Sequence, residues 1–384
     1  MVFLQIPGIA MPGDPTRHPA SRAPGGRGAI IYDFFMVPGG AEHVTVEISR
    51  FFPDADVIVA GTSTECLDLT APIRNRLISL HRHVPGHPLA RALWAIRAFE
   101  RLAPSLADYD WVLFSGSFAP MAAVNRQDQK NLLYCHTIPR FAYDLRAYYR
   151  EKLGTFRRPV FDWLVNRVRI RYERAISRMS RIAVNSLNTQ QRLKRFLHAD
   201  ADIIYPPCNT AEFAWQGVSD YFLSTARLEP YKRVDVVIDA FLRMPDKKLV
   251  VASGGSNEES LRRQAGGTEN IVFTGWLSRA GMAELLAKCI ASIYIPTDED
   301  FGLSPVESMA AGKPVIGVAE GGLRETVVDG ETGCLLPPDP TVEAVIADLE
   351  VGRSRASEVC EHARAGGRGD GRPEEDEAAM TAAA

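Results

Sequence analysis

An α/β protein made of two doubly wound, parallel-sheet domains is the fold this sequence predicts, on three observations. The chain has 384 residues, enough for two domains of roughly 100–200 residues each. Short apolar runs recur along it, continuous rather than alternating, as strands buried on both faces require. Amphipathic stretches long enough to be crossover helices separate those runs.

The elements follow in order. Residues 1–28 hold five prolines and little periodicity, and read as a flexible extension. A first domain is expected over 29–208. Its strands fall at Ala29-Ile30-Ile31-Tyr32-Asp33, Asp56-Val57-Ile58-Val59, Trp111-Val112-Leu113-Phe114, Asn131-Leu132-Leu133-Tyr134, Ile182-Ala183-Val184 and Ile203-Ile204-Tyr205. Residues 209–220 form the expected linker. A second domain over 221–351 restarts the pattern at Phe222-Leu223-Ser224-Thr225. It continues through Leu249-Val250-Val251-Ala252, Ile271-Val272-Phe273, Ile293-Tyr294-Ile295, Val315-Ile316-Gly317-Val318 and Leu335-Leu336. Amphipathic segments such as Val234 to Leu242 and Met282 to Leu286 fill the spacing. Residues 352–384 carry no sustained apolar stripe and read as a disordered tail. Ligands of such sheets bind beyond the carboxyl ends of the strands, so two such domains would face a cleft.

Composition narrows the function classes. A net charge of −3 over the whole chain does not mark a general polyanion binder. No run approaches the roughly 18 apolar residues that cross a bilayer, and no secretory leader is read at the amino end. The six cysteines lie far apart without a CxxC pair, which favours reduced thiols in the cytoplasm over disulfides or a zinc ribbon.

The sharpest local text is Glu299-Asp300-Phe301-Gly302-Leu303-Ser304-Pro305-Val306-Glu307. Ser304 suits an N-cap, Pro305 the first helical position and Glu307 the third, with the helix running to about Ala311 and Gly312 closing it. One reading makes Glu307 a helix cap and no more. The other lets Gly302 bring backbone close to a ligand, with the amides of Leu303 and Ser304 meeting phosphate or sugar oxygens. Glu299 and Glu307 would then accept hydrogen bonds from ligand hydroxyls. After another strand end stand Arg227 and Lys232, two cations able to clamp a phosphate or to sit in a solvated loop. Gly39 and Gly40 allow a tight turn with exposed amides after the first strand, without a GxGxxG fingerprint. His136, in Cys135-His136-Thr137, could bond a substrate hydroxyl or be satisfied by backbone. Asn185-Ser186 occupies the same kind of place. The acidic pairs Asp54/Asp56, Asp200/Asp202 and Asp298/Asp300 are of a kind frequent by chance, the first two preceding strands, and the histidines His81, His83 and His87 lack a completing carboxylate or thiol, so no metal is expected.

Charge is uneven. Residues 140–181 carry twelve Lys and Arg against four acids. Arg167, Arg171, Arg174, Arg178 and Arg181 recur at helical spacing, beside an apolar face of Phe161, Leu164, Val165, Val168, Tyr172, Ile176 and Met179. That face reads as core. The arginine face, with Arg140 and aromatics nearby, suits an anionic membrane surface or a diphosphate-bearing lipid. No nucleic-acid recognition motif accompanies it, so nucleic acid is not expected.

Taken together, the chain over about 29–345 resembles the family 4 retaining glycosyltransferases, which have the two-domain GT-B fold. The resemblance rests on Glu299 and Glu307 with seven residues between them, on Asp33 to Glu42, Cys135 to Phe141 and Tyr205-Pro206-Pro207, and on Arg227 with Tyr231-Lys232-Arg233 and Gly330-Glu331-Thr332-Gly333. The segment at His136 and the Tyr205-Pro206-Pro207 turn are most similar to bacterial mannosyltransferases of O-antigen and exopolysaccharide assembly. The resemblance implies a metal-independent transfer of a hexose, mannose from GDP-mannose first and a UDP-hexose as the alternative. The implied acceptor is a lipid-linked (polyprenyl diphosphate) saccharide, met by a peripheral protein at the inner face of the plasma membrane. By the same resemblance His136, Glu299, Lys232 and Arg227 are catalytic. Gly39, Gly40, Arg227, Lys232, Glu299, Phe301, Gly302, Leu303, Ser304 and Glu307 hold the donor, while Arg140, Ser186, Arg167, Arg171, Arg174 and Arg178 lie on the acceptor or membrane side. Relatives end in a helix that returns to the first domain, for which 352–384 supply no apolar face. A sugar-nucleotide-binding protein without turnover is the alternative of a different class.

Overall fold

The computed structural model describes residues 26–81, 83–86, 88–124 and 130–350, which fall into two units divided between Pro206 and Pro207. The expected tail at 352–384, most of the expected extension and His87 lie outside the described residues. The extension ends earlier than expected, because Arg27 donates from its backbone to Asp110 at 2.7 Å and Gly28 already belongs to a strand.

Among its described residues, the first unit holds a parallel sheet in the order β3-β2-β1-β4-β5-β6-β7. The strands are β1 Gly28–Phe35, β2 Asp56–Thr62, β3 Leu77–His81, β4 Trp111–Ser115, β5 Lys130–Cys135, β6 Arg181–Val184 and β7 Asp202–Ile203. Four of the intervening helices matter for function: α1 Gly40–Phe51, α2 Pro88–Leu102, α3 Arg158–Ile176 and α4 Leu187–Leu197. The continuous apolar runs become buried strands for the reason the sequence suggests, since helices cover both faces. Ile31, Ile58, Val112 and Leu133 join the core from the sheet, and Phe99, Phe161, Leu164, Val168 and Tyr172 join it from α2 and α3. Strand β3 is absent from the sequence reading. Its residues Ile78 and Ser79 are exposed, and an edge strand with one wet face has no continuous apolar run to announce it.

The second unit holds β8 Tyr221–Ser224, β9 Lys248–Val251, β10 Ile271–Phe273, β11 Ser292–Ile293, β12 Val315–Val318 and β13 Gly333–Leu336. They form a parallel sheet ordered β10-β9-β8-β11-β12-β13. Its helices include α5 Val234–Leu242, α6 Arg279–Lys288 and α7 Leu303–Ala310. Phe222, Leu249, Val251, Ile293, Ile316 and Val318 make its core with Ile238 and Phe241 of α5. The order reverses beside β8, with β9 on one side and β11 on the other, the switch point where such sheets leave a crevice. Residues 209–220, expected as a linker, are tied to this unit. Gln216 and Ser219 donate backbone bonds to the carbonyls of Ala287 and Lys288 at 3.0 and 2.7 Å.

Candidate functional site

In the second unit the loop after β8 carries the two expected cations. Leu228 donates to Gly254 at 3.0 Å and Asn257 to Leu228 at 2.8 Å, which ties this loop to the one after β9. Arg227 is exposed. A single turn at Pro230–Lys232 turns Lys232 inward, where its Nζ lies 2.5 Å from Glu299 Oε2 and donates to Tyr294 Oη at 3.2 Å. Burial works against the charge on Lys232. Glu299, Tyr294 and Tyr231 outweigh it and hold the ammonium above its ordinary pKa, so it stays protonated.

Glu299 is placed by its backbone. Gly322 donates to its carbonyl at 2.8 Å, and Asp298 beside it donates to Glu320 Oε2 at 3.0 Å. Glu320 also accepts from Arg233 at 2.8 Å, so the loop before α7 is pinned from the ends of β8 and β12. A Cβ added at Gly321, which has φ +56°, would lie 2.3 Å from the Glu299 carbonyl oxygen. Only glycine fits there.

The expected capping box at 304–307 does not form. Gly302, at φ +91°, precedes the helix, no side chain caps it, and Ser304 lies inside the first turn. The left-handed glycine starts the helix two residues early, since it can turn the chain where Ser304 cannot. The amides of Leu303 and Ser304 therefore belong to an uncapped helix N-terminus, the favoured place for an anion. Phe301 is buried against the unit. At the other end Ala310 is the last helical residue and Gly312 turns away at φ +67°, as expected.

Glu307 is bound rather than capping. Arg279, the first residue of α6, places Nη1 2.9 Å from its Oε1, bonds Glu212 through Nε and lies 5.2 Å over the Phe213 ring. Burial raises the pKa of Glu307 and Arg279 opposes that rise. The sequence reading missed Arg279 and Glu320. Their partners stand 28 and 87 positions away, so no local spacing could have paired them.

In the first unit, Gly39 and Gly40 form no tight turn. Gly39 is extended at φ −123° and Gly40 opens α1, which has no side-chain cap. The exposed amides expected there are those of a helix start. His136 follows β5, and its Nε2 lies 2.8 Å from Ser115 Oγ, which lies 2.9 Å from Thr45 Oγ1 of α1. Asn185 donates to the His136 carbonyl at 2.9 Å. This relay fixes both ring and backbone at the ends of β4, β5 and β6. Asp33, half-buried near the end of β1, accepts amides from Ser117, Phe118 and Ala119. Burial lifts its carboxyl to about 6, against the pull of those amides.

Two expected acceptor-side residues have partners within the unit. Ser186 is fully buried and caps α4, accepting the Thr189 amide at 2.9 Å. Arg140 is mostly buried and bonds Asp144 at 2.8 Å. The basic helix is also shorter than its arginine spacing suggests. Since α3 ends at Ile176, Arg178 and Arg181 lie beyond it. Arg178 donates to the Ala123 carbonyl at 2.7 Å, and Arg171 pairs with Glu100 of α2. Arg167 stacks on Trp163, and Arg174 is exposed. The apolar face of α3 is core, as expected. Among the described residues no three His, Cys, Asp or Glu side chains converge to hold a metal, and no helix is long and apolar enough to cross a membrane.

Two family models match in tandem: Glycosyltransferase Family 4 over residues 38–212 and Glycosyl transferases group 1 over 209–351. The chain is 26% identical over 256 residues to the mouse α-1,3/1,6-mannosyltransferase ALG2, a match covering 58% of this chain and 59% of that one. It is 36% identical over 130 residues to the phosphatidyl-myo-inositol mannosyltransferase of Mycobacterium leprae, covering 32% and 34%. The chain thus spans less than two thirds of these relatives. Among solved structures it is similar to HepE of Anabaena in complex with UDP, at TM-score 0.62 and 17% identity over 86% of this chain and 93% of that one. WaaG, a glycosyltransferase involved in lipopolysaccharide biosynthesis, is matched at TM-score 0.62 and 16% identity over 91% and 98%.

Proposed function

The chain carries both domains of the family 4 glycosyltransferases in their GT-B fold, and from that premise we propose that it moves a hexose, mannose from GDP-mannose, onto a lipid-linked saccharide. The observation that carries the reading is the pairing of Lys232 with Glu299 at the uncapped start of α7. As the sugar leaves, negative charge develops on the departing diphosphate. A fixed ammonium, the Arg227 guanidinium and the amides of Leu303 and Ser304 are the groups this chain offers to meet it. Glu299 accepts hydroxyls of the transferred sugar and Glu307 those of the ribose. A carboxylate with several lone pairs suits either task. His136 is assigned to the donor sugar, and retention of the anomeric configuration is taken over, on the family resemblance alone. Two relatives named as mannosyltransferases support the choice of sugar. The arginine-rich α3 supports an acceptor held at an anionic membrane surface, which in a bacterium is the cytoplasmic face of the plasma membrane.

Thermal-shift titrations with GDP-mannose, UDP-glucose and bare GDP and UDP test the donor, and transfer of labelled mannose to a membrane lipid extract tests the reaction. GDP ligands should raise the melting temperature, and transfer should persist in chelator. Lys232→Ala should lower turnover about a hundredfold or more, as loss of a charge-stabilising group does. A response confined to UDP ligands would replace the donor with a UDP-hexose. Donor binding with neither transfer nor slow donor hydrolysis would leave a sugar-nucleotide-binding protein instead.

A further inference from the structure

His136 stands at the end of a line of hydroxyls in the first unit, and the line runs in one direction. Thr45 Oγ1, on the second turn of α1, lies 2.8 Å from the carbonyl oxygen of Ala41 on the first. It also lies 2.9 Å from Ser115 Oγ at the end of β4. Ser115 Oγ lies 2.8 Å from His136 Nε2. Thr45 and Ser115 are both fully buried, so bulk water replaces neither partner.

Counting hydrogens gives each bond its sense. A carbonyl only accepts, so the single hydroxyl hydrogen of Thr45 goes to Ala41. Thr45 then has only lone pairs to offer Ser115, and the hydrogen between the two hydroxyls is Ser115's. Ser115 has no second one to give, so His136 Nε2 supplies the hydrogen between them. Any other order loses one of these bonds between buried groups, which costs the full desolvation of the group left over. The neutral ring is therefore the Nε2–H tautomer, with a lone pair on Nδ1. Tyr32 and Tyr134 lie edge-on to the ring, at centroid distances of 6.4 and 5.0 Å, while Asn185 holds the backbone carbonyl of His136. Packing thus sets the place of the ring, and the hydroxyls set its proton.

We propose that Thr45 and Ser115 are positioning residues that keep the His136 proton on Nε2, so that Nδ1 receives the hydrogen of a donor-sugar hydroxyl. The contact with the sugar rests on the role given to His136 under the proposed function; the proton order belongs to the free protein. A sugar hydroxyl met in this way gives its hydrogen to the ring and keeps its oxygen lone pairs for N–H donors elsewhere. The opposite tautomer would present an N–H to the sugar and leave that hydroxyl hydrogen without the ring as acceptor.

Nitrogen NMR of the full chain with labelled histidine reads the tautomer, the His136 signals being assigned by their loss in His136→Gln. Above about pH 8, where an ordinary imidazole is neutral, the parent should carry hydrogen on Nε2 and none on Nδ1. Thr45→Val removes the acceptor of Ser115 at nearly constant shape, so Ser115 should turn its hydrogen onto Nε2. The tautomer ratio should then move about tenfold or more toward Nδ1–H. Turnover of the sugar nucleotide should fall about tenfold, while binding of the bare nucleotide stays within about twofold. Thr45→Ser should restore spectrum and turnover together, which a packing role for the Thr45 methyl would not allow. Ser115→Ala gives a second reading should Thr45→Val unfold, since Nε2 then loses its acceptor and the tautomers should mix. A parent ring with its hydrogen on Nδ1 overturns the proposal, as do variant spectra identical to the parent's. The expected spectra with turnover untouched in Thr45→Val would overturn the sugar contact and the place of His136 in the proposed function, while the proton order stands.

Discussion

Glu307 stands between two opposing influences, burial that raises its pKa and an arginine 2.9 Å away that lowers it. Glu212 and the buried Cys208 thiol are the other titratable groups near it. Arg279→Ala removes the opposing cation, so Glu307 should take its proton at a higher pH. A protonated carboxyl accepts fewer hydroxyl bonds. The donor KM should therefore rise as pH falls, and begin that rise earlier in the variant than in the parent, with kcat little changed. Arg279→Lys should restore most of the parent profile. Parallel KM curves would sink the idea that Arg279 acts through Glu307. Asp33 gives a second pH signature. Its folded value of about 6 lies above the ordinary 3.8, so the native state holds a proton that the unfolded chain has lost between those values. Stability should fall as pH rises from about 4 to 6, by about 3 kcal/mol in all, and level off above. Melting temperature against pH should show that slope in the parent and lose it in Asp33→Asn. Residue types were legible at this scale. Glu299, Lys232 and His136 stand in the loops after strands, where polar residues interrupt apolar runs, and Glu307 lies in the helix that follows such a loop. What each one touches was not, because Arg279, Glu320 and the amides that hold Asp33 come from distant parts of the chain.

Elements were legible where burial is two-sided and misread where one glycine decides. Ser304 and Pro305 spell a helix start, yet Gly302 takes the cap because only its left-handed backbone brings the chain out of the Glu299 turn. Adding a Cβ there costs about 1–2 kcal/mol in backbone strain, and that Cβ would press on Leu323 Cδ1 at 3.0 Å. At Gly321 the clash is with backbone, at 2.3 Å from the Glu299 carbonyl oxygen, and has no side chain to yield. Gly321→Ala should therefore lose measurable donor binding altogether, whereas Gly302→Ala should weaken it and keep the fold. Calorimetric titration with the donor nucleotide ranks the two, and equal affinities would remove the Glu299 loop from the site. Ser186 makes the opposite case. As the cap of α4 it should cost about 1 kcal/mol of stability when changed to Ala, with sugar transfer and vesicle binding unaltered. Reduced transfer at equal stability would return it to the acceptor side.

The two-sheet architecture was the most legible feature of all, since a continuous apolar run admits few alternatives once crossover helices separate it from the next. Edge strand β3 escaped because its outer residues face water, and the ends of α3 escaped because arginine spacing continues past the last helical residue. The described residues fall into two units. Each has its own apolar core, one over β1 to β7 and one over β8 to β13, so each has the means to unfold on its own. Arg227, Lys232, Glu299, Gly302 and Glu307 lie in the unit that begins at Pro207, while Gly39, Gly40 and His136, which the resemblance also gives to the donor, lie in the other. A ligand stabilises only what it binds, by about 2.7 kcal/mol at a hundred times its dissociation constant. Scanning calorimetry of the full chain should resolve two transitions, and the donor nucleotide should raise one while leaving the other in place. Lys232→Ala should cancel that rise, and Trp163→Ser should leave it intact. If both transitions instead climb together with the bare nucleotide, residues of the first unit hold it too, and the placing of its main contacts on Lys232, Glu307 and the start of α7 is wrong.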